Sequence, residues 1–363
     1  MDFTLSAEQL MIKDSVDRYA AGNHGADDWA TFAGLGWLGI GAPEELGGFG
    51  GPTETMIVME AFGRGLVTEP YVAHVVLAGG VLSVAGRNDL LEPLVEGKRR
   101  FAVAYEEPHA RYEPAAVETN AKRDGSSYVL TGRKVRVLGA APADTLIVSA
   151  RTGDDVTLFA VPSGANGLKR TSYASEDGHD ASAITFENVR VGAGDMIGDS
   201  GTGLALLEAA LDRATAALCA EGVGLMSVML NMTVEYTKQR RQFGVPIASF
   251  QALQHRMAEM FMELELARSM SYVAAMTLES ETEADARKRG ISAAKVQIAR
   301  SGRFIGQSAI QLHGGIGMSE EYKVGHYFKR MTAVERLLGD TDYHLARYIA
   351  ARDARPVREL VHS

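Results

Sequence analysis

Two short runs hold the residue types from which a site for a phosphate-bearing ligand can be built. Arg240-Arg-Gln-Phe-Gly-Val-Pro-Ile247 offers a guanidinium, an amide, an aromatic face and a glycine. Gln311-Leu-His-Gly-Gly-Ile-Gly-Met318 offers hydrogen-bonding side chains beside nearly bare backbone. A guanidinium presents fixed, charge-assisted donors to phosphate oxygens. Glycine amides donate to the same oxygens with no Cβ in the way. Each feature also has a plainer use. A glycine after a helical pattern is a C-cap, and an arginine there is a solvated cation. His255 and His313 lack a second cluster of ligand types, so both read as satisfied histidines and no metal site is expected. Gly47-Gly-Phe-Gly-Gly51 has neither the preceding strand nor the Lys-Ser or Lys-Thr of a phosphate loop and reads as a turn.

The elements that would position these runs fall into three regions. Residues 1–98 are mostly helical, with Ser6 as an N-cap and Thr53 capping a helix through Met56, Met59, Phe62 and Leu66. Residues 99–195 change to short β-branched and aromatic stretches, around Val103, Tyr128, Val135, Thr145, Thr157 and Ile184. Turn residues such as Asp124-Gly125 and Gly153-Asp154 separate them, the pattern of a small antiparallel β-domain. No βαβ alternation appears, which disfavours a Rossmann fold. Residues 196–363 return to long helices: one opened by Gly201-Thr-Gly203 and running to about Gln239, one after Pro246, one from about Asp285 to Leu312, and one holding His344 to Arg352. Phe250, Leu253, Met257, Met260, Phe261 and Leu264 share one face of the second, and four such helices make a bundle. The predicted class is α+β, mainly α: an N-terminal helical domain, a middle antiparallel β-domain and a C-terminal four-helix bundle.

Composition narrows the function. The chain has 363 residues, 46% hydrophobic and 23% charged, enough for two or three domains. A net charge of −9 without a dense basic patch argues against nucleic-acid binding. Cys219 stands alone, so disulfides and thiolate metal sites within the chain are excluded. The start lacks a signal-peptide pattern, and no uncharged apolar run approaches a membrane span of ~18 residues. A cytoplasmic protein is expected.

Helical domain, β-domain and bundle, with Arg-x-Gln-Phe-Gly before one bundle helix and Gln-x-x-Gly-Gly after the next, resemble the acyl-CoA dehydrogenase family. The resemblance covers nearly the whole chain, including Phe186-Glu-Asn-Val-Arg-Val191 and Tyr322 to Arg330. Ala216-Ala-Leu-Cys-Ala-Glu221, Ala252-Leu-Gln-His255 and Glu320 to Arg330 look most like the pimeloyl-type small subunits. The resemblance implies an acyl-CoA substrate, FAD, and electron-transfer flavoprotein as electron acceptor. It also implies that Arg240, Gln242, Phe243, Gln311, Leu312, Gly314 and Gly315 hold the ADP half of a flavin lying between subunits.

Departures from the family pattern are equally specific. The family's base is a Glu just before Gly-Thr; here that position falls on Leu338 or Gly339, and the neighbouring Asp340 is the substitute candidate. Helix N-capping is the plainer use of Asp340. A second family position for the base falls on Ala214, with Asp212 and Glu221 nearby. In the β-domain, Glu107-Pro108 and Gly132-Arg-Lys134 are kept. Gly-Ser-Asp is missing, and Val135-Arg-Val-Leu-Gly139 replaces the aromatic strand that packs on the flavin ring, though backbone amides there could still serve it. Arg111, Arg133 and Arg136 are the candidates for holding a substrate carboxylate. The chain keeps what it would lend a neighbour and has weakened what it would use itself. This predicts a subunit that completes an FAD site shared with a paralogous large dehydrogenase chain. Alternatives are a self-sufficient homo-oligomer with Asp340 as base, and a non-catalytic structural or acyl-CoA-binding subunit.

Overall fold

The computed structural model describes residues 4–22 and 28–353; the Met1–Phe3 start lies outside them. In chain order come α1 (Ala7–Ala20), α2 (Trp29–Gly34), α3 (Pro52–Gly65), a π-helical segment Val72–Ala78 leading into α4 (Gly79–Val84), and α5 (Asn88–Val95). The strands follow: β1 (Phe101–Ala104), β2 (Asn120–Asp124), β3 (Ser127–Leu138), β4 (Thr145–Thr152), β5 (Asp155–Pro162), β6 (Leu168–Ala174), β7 (Asp180–Gly192) and β8 (Met196–Ile197). Then α6 (Gly203–Gln239) leads to the ribbon β9 (Arg241–Gln242) and β10 (Val245–Pro246). The chain finishes with α7 (Gln251–Ser280), α8 (Ala284–His313), α9 (Val324–Arg336) and α10 (Thr341–Asp353).

These elements form two compact units. One gathers Pro52–Val67 and the chain from Thr215 onward with α1; the other holds the chain up to Gly51 after α1, and Thr68–Ala214. In the second unit the sheet runs β6-β7-β3-β2-β4-β5-β8, with β1 on β4. It is not wholly antiparallel: β1 and β2 both pair parallel with β4. Strand β4 is therefore central, and its run Thr145–Ala150 is buried on both faces, as a strand covered on both sides must be. Leu146, Val148, Phe159, Ile184 and Phe186 anchor the core.

In the first unit Ser6 and Gln9 cap α1 reciprocally, Ser6 Oγ accepting from Gln9 N and Ser6 N donating to Gln9 Oε1. Helix α3 begins at Pro52, one residue before the expected cap Thr53, because proline's fixed φ and missing N–H suit the first helical position. It crosses α6 at two glycines: a Cβ on Gly63 would lie 2.1 Å from Glu221 O, and one on Gly224 2.0 Å from Glu60 O. A small-residue face of α8 packs α9, where a Cβ on Gly302 or Gly306 would strike Met331 or Phe328. So α9 joins the four helices expected. On α7, Met260 and Leu264 are buried, but Phe261 is 56% exposed, and Phe250 just before the helix is exposed too. The expected core face is narrower than its apolar stripe. One 18-residue window of α6 is apolar enough to cross a membrane; 78% of it is buried inside the protein, as in a core helix.

Candidate functional site

Both motif runs lie at one end of the helical unit. Arg240 N closes α6 on Tyr236 O (2.8 Å), and Ile247 N returns to Arg240 O (2.8 Å). Between them Gln242 pairs with Val245, leaving Phe243-Gly244 as a two-residue turn. Both turn residues have positive φ, 54° and 82°, as a type I′ hairpin demands. Glycine tolerates this; phenylalanine pays strain for it. Phe243 is nonetheless 92% exposed. Arg240 and Gln242 are exposed, and among the described residues the Arg240 guanidinium has no partner.

Helix α8 stops at His313, and Gly314 turns left-handed at φ 64°. A Cβ on Gly314 or Gly315 would meet open space, whereas one on Gly317 would lie 2.9 Å from His313 Cβ. One glycine of the run is therefore packing, and two leave backbone open to a ligand. Gln311 is exposed and Leu312 half-buried. The two motifs are tied by a ring stack: Tyr236 lies 4.5 Å from His313, whose other neighbour Tyr322 is 5.1 Å away. Burial pushes the His313 pKa down, and its Nδ1 bonds Ala309 O at 2.8 Å. It is a structural histidine, and His255 is exposed. Among the described residues the one group of metal-ligand types within mutual reach is Glu107, His109 and Glu118. There Glu107 already accepts from Lys134 and the amides of Glu118 and Thr119.

The loop expected to carry the base is at the other end of α8. Leu338 is buried at φ 58°, and Gly339 has φ 121°. Asp340 Oδ1 accepts from Tyr343 N at 3.0 Å, capping α10. Lys295 holds the loop, donating to the carbonyls of Val334, Glu335, Leu337 and Gly339 at 2.7, 3.3, 2.7 and 3.1 Å. Lys295 and His313 are 18 positions apart on one helix, about 27 Å along its axis. The open bundle end and the base loop of one chain are thus well separated. The other expected carboxylates are committed or enclosed. Glu221 makes a two-pronged pair with Arg330, both buried. Asp212 is 1% exposed.

In the β-domain the retained Glu107 and Lys134 form a buried pair (2.7 Å), with Lys134 also reaching Ser149 Oγ and Tyr105 O. This pair holds the loop from Tyr105 to Thr119 onto β3 and was not foreseen as structural. The family resemblance has Thr-Glu-Pro and Gly-x-Lys-x-aromatic at these two places, so counting from the retained residues puts Glu106 at the threonine and Arg136 at the aromatic. Arg136 Nε and Nη2 both donate to Glu106 Oε2. This pairing removes Arg136 from the candidates for a substrate carboxylate. The amide of Val135 is also taken, by Glu106 O at 2.8 Å, so that amide is not available to a flavin ring as expected. Neither the Glu106–Arg136 pair nor the Lys134–Glu107 pair has a local sequence signal; each joins residues 27 or 30 positions apart.

Comparison with known proteins matches three family descriptions along the chain: acyl-CoA dehydrogenase N-terminal domain at residues 6–97, middle domain at 102–189 and C-terminal domain at 201–352. The chain is 30% identical to a probable acyl-CoA dehydrogenase, YngJ, of Bacillus subtilis, over 97% of this chain and 99% of that one. It is 30% identical, over 81% of each, to the CarC subunit of the caffeyl-CoA reductase–Etf complex of Acetobacterium woodii. Among solved structures, PigA with FAD and proline superposes with TM-score 0.90 at 27% identity, covering 98% of this chain and all of that one.

Proposed function

The chain belongs to the acyl-CoA dehydrogenase family, and we propose that within it this is a cofactor-completing subunit. In this reading it lends its bundle end to FAD seated on a paralogous large chain, which supplies the ring platform and the base. The observation that carries it is the bundle end: an exposed guanidinium with no partner among the described residues, an aromatic held out on a strained turn, and two glycines open to approach. A 92% exposed phenylalanine, edge-on to Phe250 at 6.2 Å, gains the hairpin little for its strain, whereas a ligand covering the ring would gain more. Arg240 would pair with the pyrophosphate, Phe243 would cover apolar surface, and the amides at Gly314 and Gly315 would donate to phosphate oxygens. Gln242, Gln311 and Leu312 line the same end. Bound FAD supplies hydride acceptance in α,β-dehydrogenation of an acyl-CoA; this chain's part is to hold and orient its ADP half.

The lost base supports the same reading. Leu338 cannot take a proton, and Asp340 is committed to capping α10. An electron-transfer flavoprotein fits as the electron-transfer partner; the CarC relative is named as a subunit of a caffeyl-CoA reductase–Etf complex. A dicarboxylyl acyl-CoA is the substrate class the pimeloyl-type likeness favours, and the cytoplasm the location. The test is co-expression with a paralogous large chain and Arg240→Ala in this one. The complex should lose most of its flavin, roughly tenfold in affinity for one charge-assisted contact. Flavin content unchanged by R240A sinks the reading.

A further inference from the structure

The β-domain, read for whether it could take a flavin ring of its own, shows a filled position. Glu106 is 7% exposed, and its Oε2 receives two donors from Arg136. Its Oε1 receives the Tyr105 hydroxyl at 3.1 Å. The Arg136 guanidinium lies 5.3 Å from the ring centroid of Tyr112, itself only 9% exposed. Backbone geometry is adapted to this arrangement. The pairing of β3 with β7 shifts register between Lys134 and Val137, and Arg136 sits in the shift at φ 48°. A non-glycine residue at positive φ is strained, so the surrounding contacts must impose it. Here they turn the Arg136 side chain onto Glu106.

We infer that the Glu106–Arg136 ion pair, roofed by Tyr112, is a plug that closes this chain's own flavin-ring position. The plug rests on the proposed role as a cofactor-completing subunit and explains how the chain avoids holding a second, unproductive flavin. Its chemistry suits the task. The carboxylate is buried while the guanidinium keeps 38% of its side chain exposed, so the pair resists displacement chiefly because removing the cation strands the Glu106 charge. A neutral, planar ring entering there would have to separate carboxylate from guanidinium and give both back to water. The Val135 amide, bonded to Glu106 O, is withdrawn from any ligand by the same residue.

The test uses the full chain purified alone and reconstituted with FAD, read by the visible flavin band per chain. The wild-type chain should stay essentially colourless. Replacing the pair in E106T/R136W should raise bound flavin roughly tenfold or more. E106Q/R136M, which removes both charges with little change in size, should raise it in the same direction and serves if the first variant misfolds. Wild-type chain that takes up one FAD per chain overturns the plug. So does either variant that folds, by circular dichroism and light-scattered mass, yet remains flavin-free. These outcomes are independent of R240A in the complex: that variant reports on the lent bundle end, and the plug variants on the chain's own ring position.

Discussion

Lys295 shows how one residue can decide the shape of a loop. Its ammonium is fully buried and has three N–H donors for four carbonyls. Two of those carbonyls, of Val334 and Glu335, belong to the last turn of α9 and would otherwise be orphans of the helix end. The other two hold Leu337 and Gly339 on either side of Leu338, keeping that leucine in its left-handed conformation. Lys295→Met keeps the length and loses every donor. It should cost about 3 kcal/mol, the price of several buried carbonyls left unmatched; urea denaturation at pH 7 measures it. A loss under 1 kcal/mol would mean water replaces the ammonium. Nothing near position 295 in the sequence announces this role, because the acceptors are backbone atoms some forty positions away. Asp340 was the reverse case: its capping use was legible, since Asp-Thr-Asp precedes a helical pattern.

At the scale of elements, legibility followed composition. Helices α6 and α8 were placed within a residue or two, because long periodic runs ending at glycine or at Arg240 leave little choice. Strands β2 and β6 were missed. Asn120–Asp124 has one buried residue, and Leu168–Ala174 is exposed almost throughout, so neither carries apolar alternation. They are strands because β3, β4 and β7 offer ladders to pair with, a tertiary cause. The β9–β10 ribbon separates stability from function within one element. Phe243→Gly relieves positive φ and should leave the isolated chain equally or slightly more stable, by up to about 1 kcal/mol. The same change should lower flavin content of the complex, since the exposed ring is the surface proposed to cover the cofactor. Thermal unfolding and flavin absorbance on one preparation give both values. A loss of stability with flavin retained would assign the ring to packing instead.

Across the whole molecule, both compact units hide histidines that the sequence could not rank. Burial lowers His74 to about 4, its Nδ1 bonding Phe101 O at 2.7 Å. Burial, then the nearby Lys295 charge, lowers His344 to about 3. One lies in each unit, so each unit carries its own acid sensitivity. Unfolded, both rings protonate near 6.5. From pH 6.5 down to 4 the unfolded chain therefore binds more protons than the folded one. Stability falls as pH drops through that window and is unaffected by these groups above it. Each fully buried ring contributes up to about 1.4 kcal/mol per pH unit, or about 3 kcal/mol for His74 by pH 4. His74→Gln removes the titration while keeping a donor for Phe101 O. Comparing urea midpoints at pH 7.0, 5.5 and 4.5, the variant should start less stable and lose less on acidification. Parallel declines in the two proteins would mean that His74 opens to water before it protonates, and that the acid response lies with His344 and with Glu107, whose pKa the Lys134 charge helps to lower.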